Sequence, residues 1–237
     1  GEKHMKTFGR VLTAMITSFN EDGSVNIENS VAIAEHLLNH GSDGLVVCGT
    51  TGENPTISRE SKIALFKAIA ETCGDKGTII ANVGSNDTKG SVDFVKEVST
   101  IPGIDGLLVV VPYYNKPNQQ GQYLHFKSIA EATTLPIMVY NVPGRVGTGI
   151  FPATLARLHK EYPHICAIKE ASGNLMIASE IKRLMPGEDF MVYSGDDGLT
   201  LPILSVGGTG VISVVSHVAG QDMNDMIAAF EEGNNKK

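Results

Sequence analysis

"DGLLVVVPYYN", residues 105–115, holds an unbroken run of leucines and valines that stops on a proline and two tyrosines. A strand with one wet face alternates polar and apolar side chains, and this one does not. It reads as a strand covered on both faces, as in parallel sheets flanked by helices. The rest of the chain repeats the pattern. Val11–Thr17, Leu45–Cys48, Thr78–Val83, Ile137–Tyr140, Ile165–Ile168, Phe190–Tyr193 and Val211–Val215 read as further short strands, with Leu107–Val111 the fourth in order. Between them lie amphipathic stretches such as "NIENSVAIAEHLLNH" (26–40), "SRESKIALFKAIAETCG" (58–74) and "FPATLARLHKEY" (151–162). Strand starts fall roughly 20 to 35 residues apart, the spacing expected when a helix returns each strand parallel to the last.

About eight such units fit two α/β architectures, a closed (β/α)8 TIM barrel and an open doubly wound sheet. The open sheet often carries a Gly-x-Gly-x-x-Gly turn after its first strand, and "TAMITSFNEDG" (13–23) is no such turn. The regular cadence and the strand count favour the barrel, as one domain over residues 6–237. "GEKHM" (1–5) reads as an expression scar.

With 237 residues, 42% of them hydrophobic, the chain can bury a sizeable core. Its net charge of -7 offers no electrostatic case for nucleic-acid binding. No apolar run approaches the roughly 20 residues that span a bilayer, and no signal-peptide pattern opens the chain, so a cytoplasmic location is expected. Cys48, Cys73 and Cys166 are odd in number and far apart, which suits reduced core residues better than disulfides or a metal cluster. His36 and His40 stand one helical turn apart, but "HLLNH" lacks the glutamate of the zinc-protease pattern and reads as a surface pair. No serine lies in a Gly-x-Ser-x-Gly elbow.

In a barrel, chemistry belongs at the carboxyl ends of the strands. The second strand runs into "GTTGEN" (49–54), whose glycines, hydroxyls and backbone N–H groups suit either a plain turn or a cradle for a small anion. No Gly-Lys-Ser/Thr follows, so a nucleotide loop is excluded and a carboxylate is the better guest. The fourth ends in Tyr113 and Tyr114, two phenols at the mouth that also suit simple packing. The fifth puts Tyr140 at the rim and Arg145 in the loop beyond, either solvated or a clamp for a carboxylate. The sixth delivers Lys169 directly after "ICAI". That amine either reaches back to water or, walled in, loses its charge and attacks a carbonyl. "YSGDDG" (193–198) and "GGTGVISVV" (207–215) end the chain of candidates with glycines that permit close backbone approach.

"GTTGE", "PYYN", "YNVPGR", "IKEASGN" and "YSGDD", in that order on successive strands, resemble the dihydrodipicolinate synthase family, within the N-acetylneuraminate lyase group of class I aldolases. The likeness runs from Phe8 to about Gly233. It implies a (β/α)8 barrel, a lyase that condenses pyruvate with aspartate-4-semialdehyde to 4-hydroxy-tetrahydrodipicolinate in diaminopimelate and lysine biosynthesis, and no metal or organic cofactor. It further implies that Lys169 forms the Schiff base and that Tyr140 is its proton donor and acceptor. Thr50 would link Tyr140 to Tyr114 contributed across a homodimer, and Thr51 would hold the pyruvate carboxylate. Arg145 would meet the aldehyde's carboxylate, while Gly195 and the main chain near Ile212 line the pocket.

Some features depart from that pattern. The chain stops at "FEEGNNKK" (230–237), where the family usually continues into further helices, so a tetramer is not expected. Ser18 and Val146 stand where proline and threonine are usual. Asn54, Pro55, Arg59, Lys62 and Gly90 replace the groups that bind lysine in feedback-inhibited members, so weak or absent lysine inhibition is expected. Two other readings stay open: a sister lyase acting on a 2-keto-3-deoxy sugar acid, N-acetylneuraminate or 4-hydroxy-2-oxoglutarate, and a shortened, catalytically silent barrel.

Overall fold

The computed structural model describes residues 8–187 and 189–234; "GEKHM" lies outside them. Eight parallel strands, β1 (Val11–Ala14), β2 (Gly44–Val47), β3 (Thr78–Asn82), β4 (Gly106–Val110), β5 (Ile137–Asn141), β6 (Ile165–Glu170), β7 (Met191–Ser194) and β8 (Gly210–Ser213), pair in sequence order, and β8 returns to β1 to close the barrel. The connecting helices are α1 (Ile27–Asn39), α2 (Arg59–Cys73), α3 (Thr88–Val98), α4 (Gln119–Ala130), the four-residue α5 (Pro143–Val146), α6 (Pro152–Glu161), α7 (Leu175–Leu184), α8 (Thr200–Ser205) and α9 (Ser216–Glu231). Cap chemistry sets several of their starts: Asn26, Ser58 and Asn118 each accept a backbone N–H from the first turn of α1, α2 and α4. Among the described residues no helix is long and apolar enough to cross a membrane.

The strands are buried almost throughout, as the unalternating sequence requires. Cys48, Cys73 and Cys166 are buried free thiols within this core. Their burial lifts the thiols of Cys48 and Cys166 to about 12, and so disfavours thiolate.

Strand limits shift by one to three residues from the sequence reading, and three of the shifts bear on the site. β1 stops at Ala14 rather than Thr17, because Thr17 turns its hydroxyl to the Gly52 carbonyl at 2.7 Å. β8 stops at Ser213, because the N–H groups of Val214 and Val215 go to Asp197 Oδ2 at 3.1 and 3.0 Å. β6 runs two residues past Ile168, through Lys169 and Glu170, which pair with Tyr193 and Ser194 of β7.

Closure of the barrel depends on a backbone approach at its last seam. A Cβ on Gly210 would sit 2.0 Å from the Arg10 carbonyl oxygen, a contact no side chain could relieve. Gly210→Ala is therefore expected to lower unfolding free energy by about 1–3 kcal/mol or more. Gly144→Ala, where a Cβ meets nothing within 4 Å, should stay within about 0.5 kcal/mol. Denaturant midpoints of the two variants check this, and equal midpoints contradict it.

Candidate active site

Strand register decides what meets at the mouth. Partners in a parallel ladder point to the same side, and successive residues point to opposite sides. Val110, Tyr140, Lys169 and Tyr193 are successive register partners and share one face. Asn82, Leu108, Met138, Ala167 and Met191 form the next row on that face. Asn82, Val110 and Tyr140 line one cavity with Thr50, Tyr113 and Arg145, so this face is the lumen. The cavity is about 240 Å³.

Lys169 is 6% exposed, and its Nζ lies 4.4 Å from the centre of the Tyr140 ring. Burial strips water from the ammonium, and the Arg145 guanidinium adds repulsion; together they bring the amine down to about 8. Asp197 acts the other way, favouring the charged form. Snorkelling is thereby excluded: the side chain ends inside the barrel, where the neutral amine is accessible near neutral pH. The space it needs comes from Gly195. A Cβ there would lie 3.2 Å from Lys169 Cε and 2.5 Å from the Ala171 Cβ.

On the opposite face of the same two strands, Asn141 pairs in register with Glu170. Asn141 Nδ2 donates to Glu170 Oε2 at 2.8 Å, and Glu170 Oε1 accepts the Ser172 N–H at 2.7 Å. Asn141 Oδ1 accepts the Ile150 N–H at 3.1 Å. This buried brace holds the ends of β5 and β6 together, and so keeps Tyr140 beside Lys169.

The "GTTGEN" loop leaves β2 with Cys48 in the left-handed region at φ 56°, and Glu53 follows at 59°. Thr50 is exposed and lines the cavity; Thr51 is half-buried and is not among the lining residues. Ile212 is buried in β8, two residues along from Gly210 on the same lumenal face, and also lies outside the lining. Tyr114 does not reach the site within its own chain. It is 88% exposed, with its backbone held at φ 68°, and its neighbour Tyr113 lines the cavity instead. Among the described residues no hydrogen bond joins Tyr140, Thr50 and Tyr114. His36 and His40 stack at 4.0 Å on α1, and no convergent set of three or more His, Cys, Asp and Glu side chains is present among the described residues.

Asn82 escaped the sequence reading, which ended β3 on Val83 and passed over the residue before it. The available signal was a carboxamide at the carboxyl end of a barrel strand. Asp197 and the Asn141–Glu170 brace were missed too, because their roles depend on pairing between strands.

Fold and site together define a (β/α)8-barrel protein with a desolvated lysine at the mouth. The profile of the dihydrodipicolinate synthetase family matches residues 7–237. A 4-hydroxy-tetrahydrodipicolinate synthase from Desulforamulus reducens is 52% identical over 96% of this chain and 76% of its own length. One from Cyanothece is 51% identical over 97% of this chain and 77% of its own. Among solved structures, a dihydrodipicolinate synthase from Bacillus anthracis superposes with a TM-score of 0.94 at 45% identity, covering 98% of this chain and 78% of that one. A second, from Cyanidioschyzon merolae with lysine bound, gives 0.93 at 44%, covering 96% and 77%. The chain belongs to the dihydrodipicolinate synthetase family.

The two charges acting on Lys169 can be separated. Above its pKa the amine is neutral and able to add to a carbonyl, so the reactivity of Lys169 toward a carbonyl reagent is expected to rise with pH through about 8 and then level. Arg145→Gln removes a repulsion and should move that inflection up. Asp197→Asn removes an attraction and should move it down. Displacement of both variants in one direction contradicts this assignment.

Proposed function

We propose that the chain condenses pyruvate with aspartate-4-semialdehyde through a Schiff base on Lys169. The observation that carries this reading is the buried amine of Lys169, its pKa lowered, against the ring of Tyr140, which itself lines a cavity with Arg145.

The neutral amine adds to the ketone carbon of pyruvate, and the carbinolamine loses water to give an iminium. The iminium is an electron sink, so the adjacent methyl group gives up a proton and an enamine forms. Its carbon attacks the aldehyde, and the aldehyde oxygen takes a proton to become a hydroxyl. The amino group of the second substrate then adds to the iminium carbon, closing the ring and releasing Lys169 as an amine. The lysine supplies the electron sink, so these steps call for no metal or organic cofactor.

Each proton transfer needs a positioned acid or base, typically worth about 10²–10⁴ in rate. Tyr140 is the group next to Lys169 able to serve, with Thr50 relaying beside it. Thr51 and its loop take the pyruvate carboxylate, and the main chain at Gly195 and Ile212 borders it. Arg145, on the cavity wall, clamps the carboxylate of the aldehyde. Tyr114 is directed outward by its left-handed backbone, which suits donation to the cavity of a second copy in a homodimer. The arginine favours an aldehyde bearing a carboxylate over the sugar acids of the sister lyases.

Lysine feedback is expected to be weak. Arg59 lies 2.7 Å from Glu97 and over the Phe94 ring, and Lys62 on the same helix is half-buried. Two cations and Gly90 offer a poor seat for a cationic effector. Half-inhibition at sub-millimolar lysine contradicts this.

Borohydride reduction in the presence of pyruvate should trap one adduct, on Lys169, and turnover with aspartate-4-semialdehyde should exceed that with sugar acids. Lys169→Ala should abolish the adduct and lower turnover by about 10³-fold or more. Trapping on another lysine, or retained turnover in Lys169→Ala, overturns the assignment.

A further inference from the structure

The lumenal row below Lys169 is apolar except at one position. Leu108, Met138, Ala167 and Met191 share it with Asn82, a carboxamide only 5% exposed. Its amide orientation is set by the backbone. Asn82 Nδ2 donates to the carbonyl of Cys48 at 2.7 Å, and a flipped amide would set two acceptors against each other. The oxygen is therefore the free end. Oδ1 is buried with no hydrogen-bond partner, on a residue that lines the cavity with Thr50, Tyr140 and Arg145. A buried acceptor without a donor is unfavourable, so a partner arriving with a ligand is the economical explanation.

The donor can be identified by the chemistry around it. Pyruvate itself carries a carboxylate and no N–H group, and the one N–H of its enamine stays on Lys169 Nζ, beside the Tyr140 ring. The second substrate is an amino acid, with a carboxylate for Arg145 and an ammonium that has only donors to offer. We propose that Asn82 Oδ1 accepts a hydrogen bond from the amino group of the aldehyde substrate and so selects a 2-amino-4-oxo acid over its deaminated analogue. This rests on the condensation proposed above. A site that holds a substrate N–H group in a desolvated pocket discriminates strongly against an analogue lacking it, because the protein acceptor is then left unpaired. Asn82 is a positioning and specificity residue, and Lys169 keeps the covalent chemistry.

The test compares aspartate-4-semialdehyde with 4-oxobutanoate, the same aldehyde without the amino group, by following carbon–carbon bond formation with pyruvate. The wild type should prefer the amino aldehyde. Asn82→Leu, close in size and without an acceptor, should lose about 10- to 100-fold in kcat/KM for the amino aldehyde. Its kcat/KM for 4-oxobutanoate should be unchanged or raised, and its pyruvate adduct on Lys169 should still be trapped by borohydride. Asn82→Asp, which keeps an acceptor, should retain the preference; it also reads the proposal if Asn82→Leu does not fold. An equal loss on both aldehydes, or no loss on either, overturns the role of Asn82. Failure of the wild type to form the pyruvate adduct or to condense either aldehyde instead overturns the underlying reaction.

Discussion

Removing one ammonium group from water is the constraint around which the mouth of this barrel is organised. An amine at the end of a barrel strand would normally extend to solvent, since burying its charge is unfavourable. Here Lys169 stays in the lumen at 6% exposure, and the protein accommodates it by favouring the neutral form. Burial contributes most, Arg145 adds to it, and Asp197 partly opposes both. The same loss of charge that makes the burial tolerable makes the nitrogen a nucleophile.

That arrangement makes demands on its neighbours. Gly195 omits a Cβ that would crowd the lysine stem, and Tyr140 brings an aromatic face 4.4 Å from the nitrogen. Outside the barrel wall, Asn141 and Glu170 fasten the same two strands through side chains that never enter the lumen. Alternation along a strand thus divides the labour: Tyr140 and Lys169 face the lumen, and the residues directly after them hold the wall. Asp197 links the site to the last seam, since its carboxylate receives the two N–H groups that end β8.

The fold was legible because its signal is local. Runs such as Leu107–Val111 declare burial on both faces, and the cadence of strand and helix repeats often enough to imply closure. The gathering of Tyr140, Thr50 and Arg145 on one cavity, with Lys169 beside Tyr140, was legible for a related reason, since each follows an apolar run at the carboxyl end of a strand. What the sequence did not disclose depends on register and on hydrogen bonds between distant segments. Nothing local says that β6 continues through Lys169, that Tyr113 turns inward while Tyr114 turns out, or that Asp197 shortens β8. Asn82 sits at the end of a strand like the others, yet its meaning appears only when its amide nitrogen is seen to be held by Cys48 and its oxygen to be left free.

The charge state of one nitrogen can be measured directly. With lysines labelled at the ε-carbon, and Lys169→Arg used to assign the signal, the Lys169 resonance can be titrated by NMR in the absence of substrate. A midpoint near pH 8 is expected, against the ordinary value of 10.5. A midpoint at that ordinary value would show an ammonium that has kept its water, and would contradict the placement of a neutral amine inside the barrel.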